Sequence, residues 1–279
     1  MCRSCGRSER IVSSDSSHRA ARLFKAQCAQ IKIGDVIRAP LGRLLPKLGI
    51  ASRTKAGEWI RGGRIAVGGR IVRSPTCWVT WPEDQVTLDG ELLKAAIRRL
   101  ILFHKPKGLV TTHRDERGRR TIFDVLPQDL RALHAVGRLD QATSGLLLLT
   151  NDTDFSAFLV DPKNALPRVY LVTVRGHVSD KAVQQAIDGV RDDEEDLSCK
   201  QIVVQKRSNR ESHLKVTLIE GKNREIRRLF KALGHEVTRL RRICFGPFEL
   251  GSLVPGQWTE TSLERGIQMC RETSGMTPV

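Results

Sequence analysis

The chain has 279 residues, 40% of them hydrophobic, with 47 Lys and Arg against 31 Asp and Glu, a formal charge of +16. That apolar content excludes wholesale disorder, and the length allows one large domain or two smaller ones. An excess of cations on this scale points to a polyanionic partner, nucleic acid first and an anionic membrane surface second, and no apolar run approaches the ~20 residues that span a bilayer. The seven cysteines are scattered and odd in number, with no signal-peptide pattern ahead of them; this suggests reduced thiols in a cytoplasm rather than a disulfide framework. Cys2-Arg-Ser-Cys5 has metal-ligand spacing, but no second pair completes a tetrahedral set, and no metal is expected.

Residues 1–40 are polar and lack apolar periodicity. They read as a flexible extension, with an organelle transit peptide and a misplaced upstream start codon as the alternatives. From residue 43 the character changes. Leu44, Leu45 and Leu48 suggest a short helix with Pro46 in its first turn and Gly49 at its end. Ser52 can cap a second helix that carries Ala56, Trp59 and Ile60 on one face and stops at Gly62-Gly63. Ile65-Ala-Val67 and Ile71-Val72 read as two strands around Gly68-Gly69. Arg53, Lys55, Arg61, Arg64 and Arg70 belong to a cationic run from 43 to 73 in which Glu58 is the only acid. Two short helices, a small β unit and cations on one side, with the phrases Leu-Gly-Ile-Ala-Ser-Arg53 and Val-Gly-Gly-Arg70, resemble the S4 RNA-binding fold. Pro46 and Trp59 are unusual there. Residues 74–99, with Pro75, Pro82 and Asp89-Gly90, read as the end of this domain and a linker, so that the S4-like unit spans 41–99.

A larger domain is expected over 100–265, followed by a tail at 266–279. Leu100-Ile-Leu-Phe103 is strand-like and leads into Lys105-Pro-Lys-Gly108. The charged loop 113–120 precedes a short helix at 121–126 ended by Pro127. The most informative run follows: Gly137-Arg-Leu-Asp140, a small polar stretch, and Leu146-Leu-Leu-Leu149 as a strand buried on both faces. A carboxylate set between a glycine and a buried strand costs free energy unless it is paired or used; Arg138 is the obvious local partner. Next come a strand at 167–174 that carries the sole tyrosine, Tyr170, and a helix capped by Ser179 with Val183, Ala186, Ile187 and Val190 on one face. The acidic run 192–196 reads as a solvated turn rather than a metal site. Strands at 201–205 and 214–219 precede a helix in which Ile226, Leu229, Phe230 and Leu233 share the buried face and Gly234 is the stop. Arg224, Arg227, Arg228 and Lys231 cluster at its start and flanks, an arrangement that favours phosphate. Arg239, Arg241 and Arg242 read as an extension of that basic surface.

Taken in order, the Lys-Pro-x-Gly turn, Gly-Arg-Leu-Asp140, the strand tyrosine and Gly221-Lys-Asn-Arg-Glu-Ile-Arg-Arg228 resemble RNA pseudouridine synthases of the ribosomal-RNA branch, in which an S4 module precedes the catalytic domain. Glu225 stands where the commoner residue is Gln. The resemblance implies an α+β fold, with a small N-terminal S4-like domain and a catalytic domain built on a mixed, mainly antiparallel sheet flanked by helices. It implies Asp140 as the catalytic carboxylate, as nucleophile at C1′ or as base on the sugar. It gives Arg227 the role of keeping that carboxylate charged, Tyr170 that of stacking on the target base and assisting proton transfer, and Ile226 the other wall of the base pocket. Arg138, Lys222, Arg224 and Arg228 would meet RNA. Isomerising uridine needs neither redox chemistry nor energy input, so no cofactor is sought. The implied partner is ribosomal RNA or an assembly particle, with no membrane, bound by a monomer in the cytoplasm. Large-subunit RNA is preferred over small-subunit RNA and tRNA. A non-catalytic RNA-binding or ribosome-assembly factor is the rival from another class, and a carboxylate-dependent hydrolase would need a second carboxylate or a metal cluster that the spacing does not supply.

Overall fold

The computed structural model describes residues 36–192 and 195–273. Cys2, Cys5 and all but the last residues of the expected extension lie outside the described residues. The small domain begins earlier than expected: β1 (Ile37–Pro40) pairs antiparallel with β4 (Trp78–Trp81), and Ile37 and Ala39 pack on the domain's apolar cluster. That burial is why residues 37–40 are a strand and not part of an extension. α1 (Leu41–Lys47) puts Leu41, Leu44 and Leu45 inside. Pro46 falls in its last turn, not its first, and the helix closes at once: the Gly49 and Ile50 amides donate back to the Pro46 and Leu45 carbonyls at 3.0 Å each. Ser52 caps α2 (Arg53–Arg61) by accepting from the Lys55 amide, and Ala56 and Ile60 are buried.

β2 (Ile65–Val67) and β3 (Arg70–Ile71) form the expected hairpin, and Gly68 and Gly69 both have positive φ (55° and 79°), as a two-residue turn of this hand requires. β5 (Val86–Leu88) and β6 (Glu91–Leu92) complete a four-stranded sheet in the order β3-β2-β5-β6. Residues 74–92 thus carry three strands of the small domain, β4, β5 and β6, because Val79 and Val86 are core residues.

β7 (Leu100–Lys105) opens the larger domain. A single 3-10 turn, Ile122–Asp124, stands where the short helix at 121–126 was expected, with the Thr121 amide donating to the Asp124 carboxylate at 2.7 Å, and a second, Gln128–Leu130, follows Pro127. Then come β8 (His134–Ala135), β9 (Ser144–Thr150), α3 (Thr153–Val160), β10 (Arg168–Arg175), α4 (Asp180–Asp188), β11 (Val190–Arg191), β12 (Asp196–Leu197), β13 (Gln201–Arg207), β14 (Glu211–Leu218), α5 (Glu225–Ala232), β15 (Val237–Phe245), β16 (Phe248–Glu249), β17 (Trp258–Thr261) and α6 (Leu263–Thr273). The nine-stranded sheet runs β13-β14-β10-β15-β9-β7-β17, with β16 on β15 and β8 on β9. It is antiparallel except where β9 meets β15. In β9, Leu147 and Leu149 enter the core shared with α4 and α5, and Leu146 and Leu148 enter the core shared with α3 and α6. All four are fully buried, which is the two-sided burial that the leucine run predicts. The expected tail from 266 is instead the body of α6, held because Cys270 is fully buried and Gly266 lies against Leu100 and Phe248.

One contact in this sheet positions everything that follows. β9 and β15 are paired only at Arg241↔Ser144 and Arg242↔Gly145. Gly145 has φ +111°, and a Cβ there would lie 2.1 Å from the Arg242 carbonyl oxygen. A side chain cannot be accommodated, so glycine brings the loop that ends in β9 hard against β15.

Candidate active site

Asp140 sits in the loop between β8 and β9, and the backbone of that loop is tied down from several sides. The buried Lys105 ammonium, at the end of β7, donates to the carbonyls of Asp140 (3.1 Å), Thr143 (2.8 Å) and Pro106 (3.1 Å). The Gly108 amide donates to the Gln141 carbonyl at 2.7 Å, and the Gln141 side chain returns a bond to the Gly108 carbonyl. Thr111 Oγ1 donates to the Leu139 carbonyl at 2.9 Å. The Lys-Pro-x-Gly turn is thus the clamp on the aspartate loop. Burial pushes the Lys105 amine down to about 8, with the Asp140 charge acting the other way.

The Asp140 side chain is about one third exposed. Its ion pair is with Arg224, Nη1 to Oδ2 at 3.5 Å, and not with the neighbouring Arg138, which is exposed. Arg224 caps α5 from a left-handed backbone conformation (φ 48°), which swings its side chain toward the loop. Arg227 is near enough for its charge to be felt by Asp140, but its hydrogen bonds go to the carbonyls of Val237 (3.0 Å) and Ala142 (3.2 Å). It therefore fixes the loop two residues beyond Asp140. Burial is the main influence on its guanidinium, lowering its pKa, and Arg224 adds to that.

A cavity of about 300 Å³ opens beside Asp140, walled by Tyr170, Ile226, Leu240 and Leu218. Tyr170 is 9% exposed and Ile226 3%. Asp140, Leu139, Arg138 and Arg224 also line a wider groove of about 770 Å³ that runs along 107–119. The structure thus brings Asp140, Tyr170, Ile226 and Arg224 to one cleft. Arg227 lies behind the loop.

Two expected RNA contacts are engaged elsewhere. Arg228 is held by Asp192 (2.6 Å) and Glu195 (2.9 Å), and Lys222 pairs with Glu195 (3.5 Å) and Glu220 (3.4 Å). The acidic turn, expected to be simply solvated, is the counterion of the α5 start. In the small domain Arg53, Lys55, Arg61, Arg64 and Arg70 are all exposed. Arg64 is paired with Asp89, and Lys55 lies 3.9 Å from Glu58. Arg53, Arg61 and Arg70 have no acidic partner among the described residues. Three residues lining the cleft had no site role in the sequence reading, Thr143, Leu240 and Arg242, and neither did Lys105, which holds the aspartate loop from within the core. Lys105 had a signal, a charge closing an apolar strand directly before Pro106. Arg242, read from sequence as surface, is 4% exposed. Among the described residues no group of His, Cys, Asp and Glu is arranged to hold a metal ion, and no helix is long and apolar enough to cross a membrane.

Comparison with known proteins identifies the family. Residues 99–232 match the family described as RNA pseudouridylate synthase, and residues 41–76 match the S4 domain. An uncharacterized RNA pseudouridine synthase of Aquifex aeolicus is 35% identical over 221 residues, covering 79% of this chain and 89% of that protein. A ribosomal large subunit pseudouridine synthase B of Pseudomonas aeruginosa is 36% identical over 250 residues, covering 86% of this chain and 63% of that protein. A crystal structure of a pseudouridylate synthase superposes with a TM-score of 0.58 at 27% identity, covering 82% of this chain and 98% of that one. An S4 domain leading into an α+β catalytic domain, with sequence identity along both, makes this chain a member of the RNA pseudouridine synthase family and an RNA pseudouridine synthase.

Proposed function

We propose that this enzyme converts one uridine of large-subunit ribosomal RNA to pseudouridine, with Asp140 as its catalytic carboxylate. The observation that carries the reading is the shared cleft: a carboxylate on a clamped loop, an aromatic wall at Tyr170 and an aliphatic wall at Ile226, with Arg224 3.5 Å from the carboxylate. The relatives named for large-subunit RNA support the substrate.

The target uridine leaves its stack and enters between Tyr170 and the aliphatic wall. Tyr170 offers a π face and a polar tip to the base. Asp140 acts at the sugar, as nucleophile at C1′ or as base, with Arg224 3.5 Å from its carboxylate. The C1′–N1 bond breaks, the base turns, C1′–C5 forms, and the C5 proton is lost as N1 gains one. Arg138 and Arg224 at the groove, with Arg53, Arg61 and Arg70 on the small domain, meet backbone phosphates and position the RNA without reading its sequence.

The test is pseudouridine mapping by chemical adduct and primer extension on ribosomal RNA from cells with and without the gene. One stop lost from large-subunit RNA, restored by the wild type and not by Asp140→Asn, is the expected result. Loss of a stop from small-subunit RNA or tRNA alone would replace the substrate, and loss of none would favour a non-catalytic role.

The small-domain cations make a separate prediction. Neutralising Arg53, Arg61 and Arg70 together to Gln should make the slope of log K against log salt shallower by about 2–3, at roughly 0.7–0.9 per phosphate contact. Filter binding across a salt series measures it, and an unchanged slope removes these residues from the interface.

A further inference from the structure

Arg242 faces Tyr170 directly across the β10–β15 ladder. Directly opposed residues project on the same face of a sheet, with Cβ atoms about 4.5–5.5 Å apart. Arg242 lines the same cavity as Tyr170 and Asp140, and its guanidinium lies 4.8 Å from the centre of the Phe245 ring. Nε is satisfied: it donates to the Leu146 carbonyl at 2.8 Å, which fixes the plane of the group. The two terminal nitrogens have no acceptor among the described residues, and Nη2 is buried. Thr143 has the same deficit. It is 2% exposed, lines the same cavity, and its Oγ1 has no partner among the described residues. A buried terminal guanidinium nitrogen without an acceptor costs free energy that a purely structural residue would not carry. Two such groups on one cavity floor, beside the aromatic wall, form a recognition surface that is completed from outside.

We infer that Arg242, assisted by Thr143, holds the target base by donating from its terminal nitrogens to a carbonyl oxygen of the uracil ring. This deepens the proposed function and rests on it. The cavity walls are apolar where a base would stack, so the ring edge that reaches the floor must be the one that accepts hydrogen bonds. Uracil presents two carbonyl oxygens, O2 and O4, and Arg242 is a donor only. The contact also bears on the chemistry. When C1′–N1 breaks, the bonding pair stays with the base and spreads over N1, O2 and O4. A preorganised cation at one of those oxygens binds the departing base more tightly than the intact nucleoside, and so lowers the barrier rather than only tightening binding. The same bond keeps the detached base in the cavity while it turns to present C5 to C1′.

The experiment uses the full chain and an RNA transcript that contains the mapped uridine. Under single turnover, Arg242→Met should lower the rate about 100-fold or more. Affinity for the transcript should change little, because phosphate contacts supply it. Arg242→Lys, which keeps the charge on a shorter reach, should recover part of the rate. The decisive arm replaces the target uridine by 2-thiouridine or by 4-thiouridine, since sulfur is a weaker acceptor than oxygen. One of the two should slow the wild type by about 10-fold and leave Arg242→Met nearly unaffected, the signature of a shared contact in a double-mutant cycle. If Arg242→Met does not fold, as read by thermal unfolding, Arg242→Lys and Thr143→Val take its place in the cycle. Equal thio penalties in wild type and variant would overturn the inference and leave the proposed function standing. A wild type that makes no pseudouridine in any ribosomal transcript would overturn both.

Discussion

Asp140→Asn is expected to abolish turnover, by about 10⁴-fold or more on the scale seen when a catalytic carboxylate or nucleophile is removed, while the protein folds and binds RNA as before. The side chain is one third exposed, and its ion pair with Arg224 at 3.5 Å is half open to solvent. Such a pair contributes about 0–1 kcal/mol. The loop is held by its backbone, through the carbonyls of Asp140, Thr143 and Leu139, and an amide side chain disturbs none of those bonds. Removing a negative charge from a cleft that receives a polyanion does not weaken binding. The measurement pairs tritium release from RNA labelled at C5 of uridine with filter binding of the same RNA. Loss of affinity in parallel with loss of activity would count against a catalytic role and for a binding one.

Much of the framework was legible because it rests on local pattern. The four leucines of β9 announce two-sided burial by composition alone, and the two sets of alternate leucines enter different cores. In α5, the spacing of Ile226, Leu229 and Phe230 fixes the buried face, and Gly234 ends the helix with the His235 amide donating to the Phe230 carbonyl at 2.8 Å. What stayed hidden is the partner of each charge, because that depends on contacts distant in sequence. Arg138 is two residues from Asp140 and does not pair with it, whereas Arg224, 84 residues away, does. Arg228 looked free among cations until the acidic turn, 36 residues earlier, folded over it. Arg242 follows Arg239 and Arg241 in an evidently basic strand, yet those two are exposed and Arg242 is buried. Alternation along β15 separates them, and its phase is set by register shifts that no sequence period reveals.

Lys105→Met should leave stability within about 2 kcal/mol of wild type and still cost about 100-fold in turnover. Burial holds the Lys105 amine at about 8, against an ordinary value near 10.5. Between those values the unfolded chain binds more protons than the folded one, so stability rises with pH through that window. Below pH 8 the folded protein carries the full cost of a buried ammonium, about 3 kcal/mol. Replacing the lysine with a similar apolar chain relieves that cost, but it leaves the Pro106, Asp140 and Thr143 carbonyls short of a donor, at about 1–3 kcal/mol each where no water reaches. The Pro106 and Asp140 bonds are only part-buried, which puts the carbonyl cost at the low end of that range, about 3 kcal/mol in all, where it nearly cancels the relief in global stability. The two do not cancel locally, because the loop that carries Asp140 loses its anchor, and a displacement of about 1 Å at a reacting group can cost 10²-fold. Deprotonation of the wild type acts in the same direction: a neutral amine has two hydrogens for three carbonyls. The rate should therefore fall above an apparent pKa of about 8 in the wild type and show no such limb in Lys105→Met. Urea unfolding at pH 7 and pH 10 supplies the companion measurement, with wild type gaining on the variant as pH rises. A wild-type rate that stays level to pH 10, with no relative gain in stability, would mean that Lys105 does not hold the aspartate loop in the way its three hydrogen bonds imply.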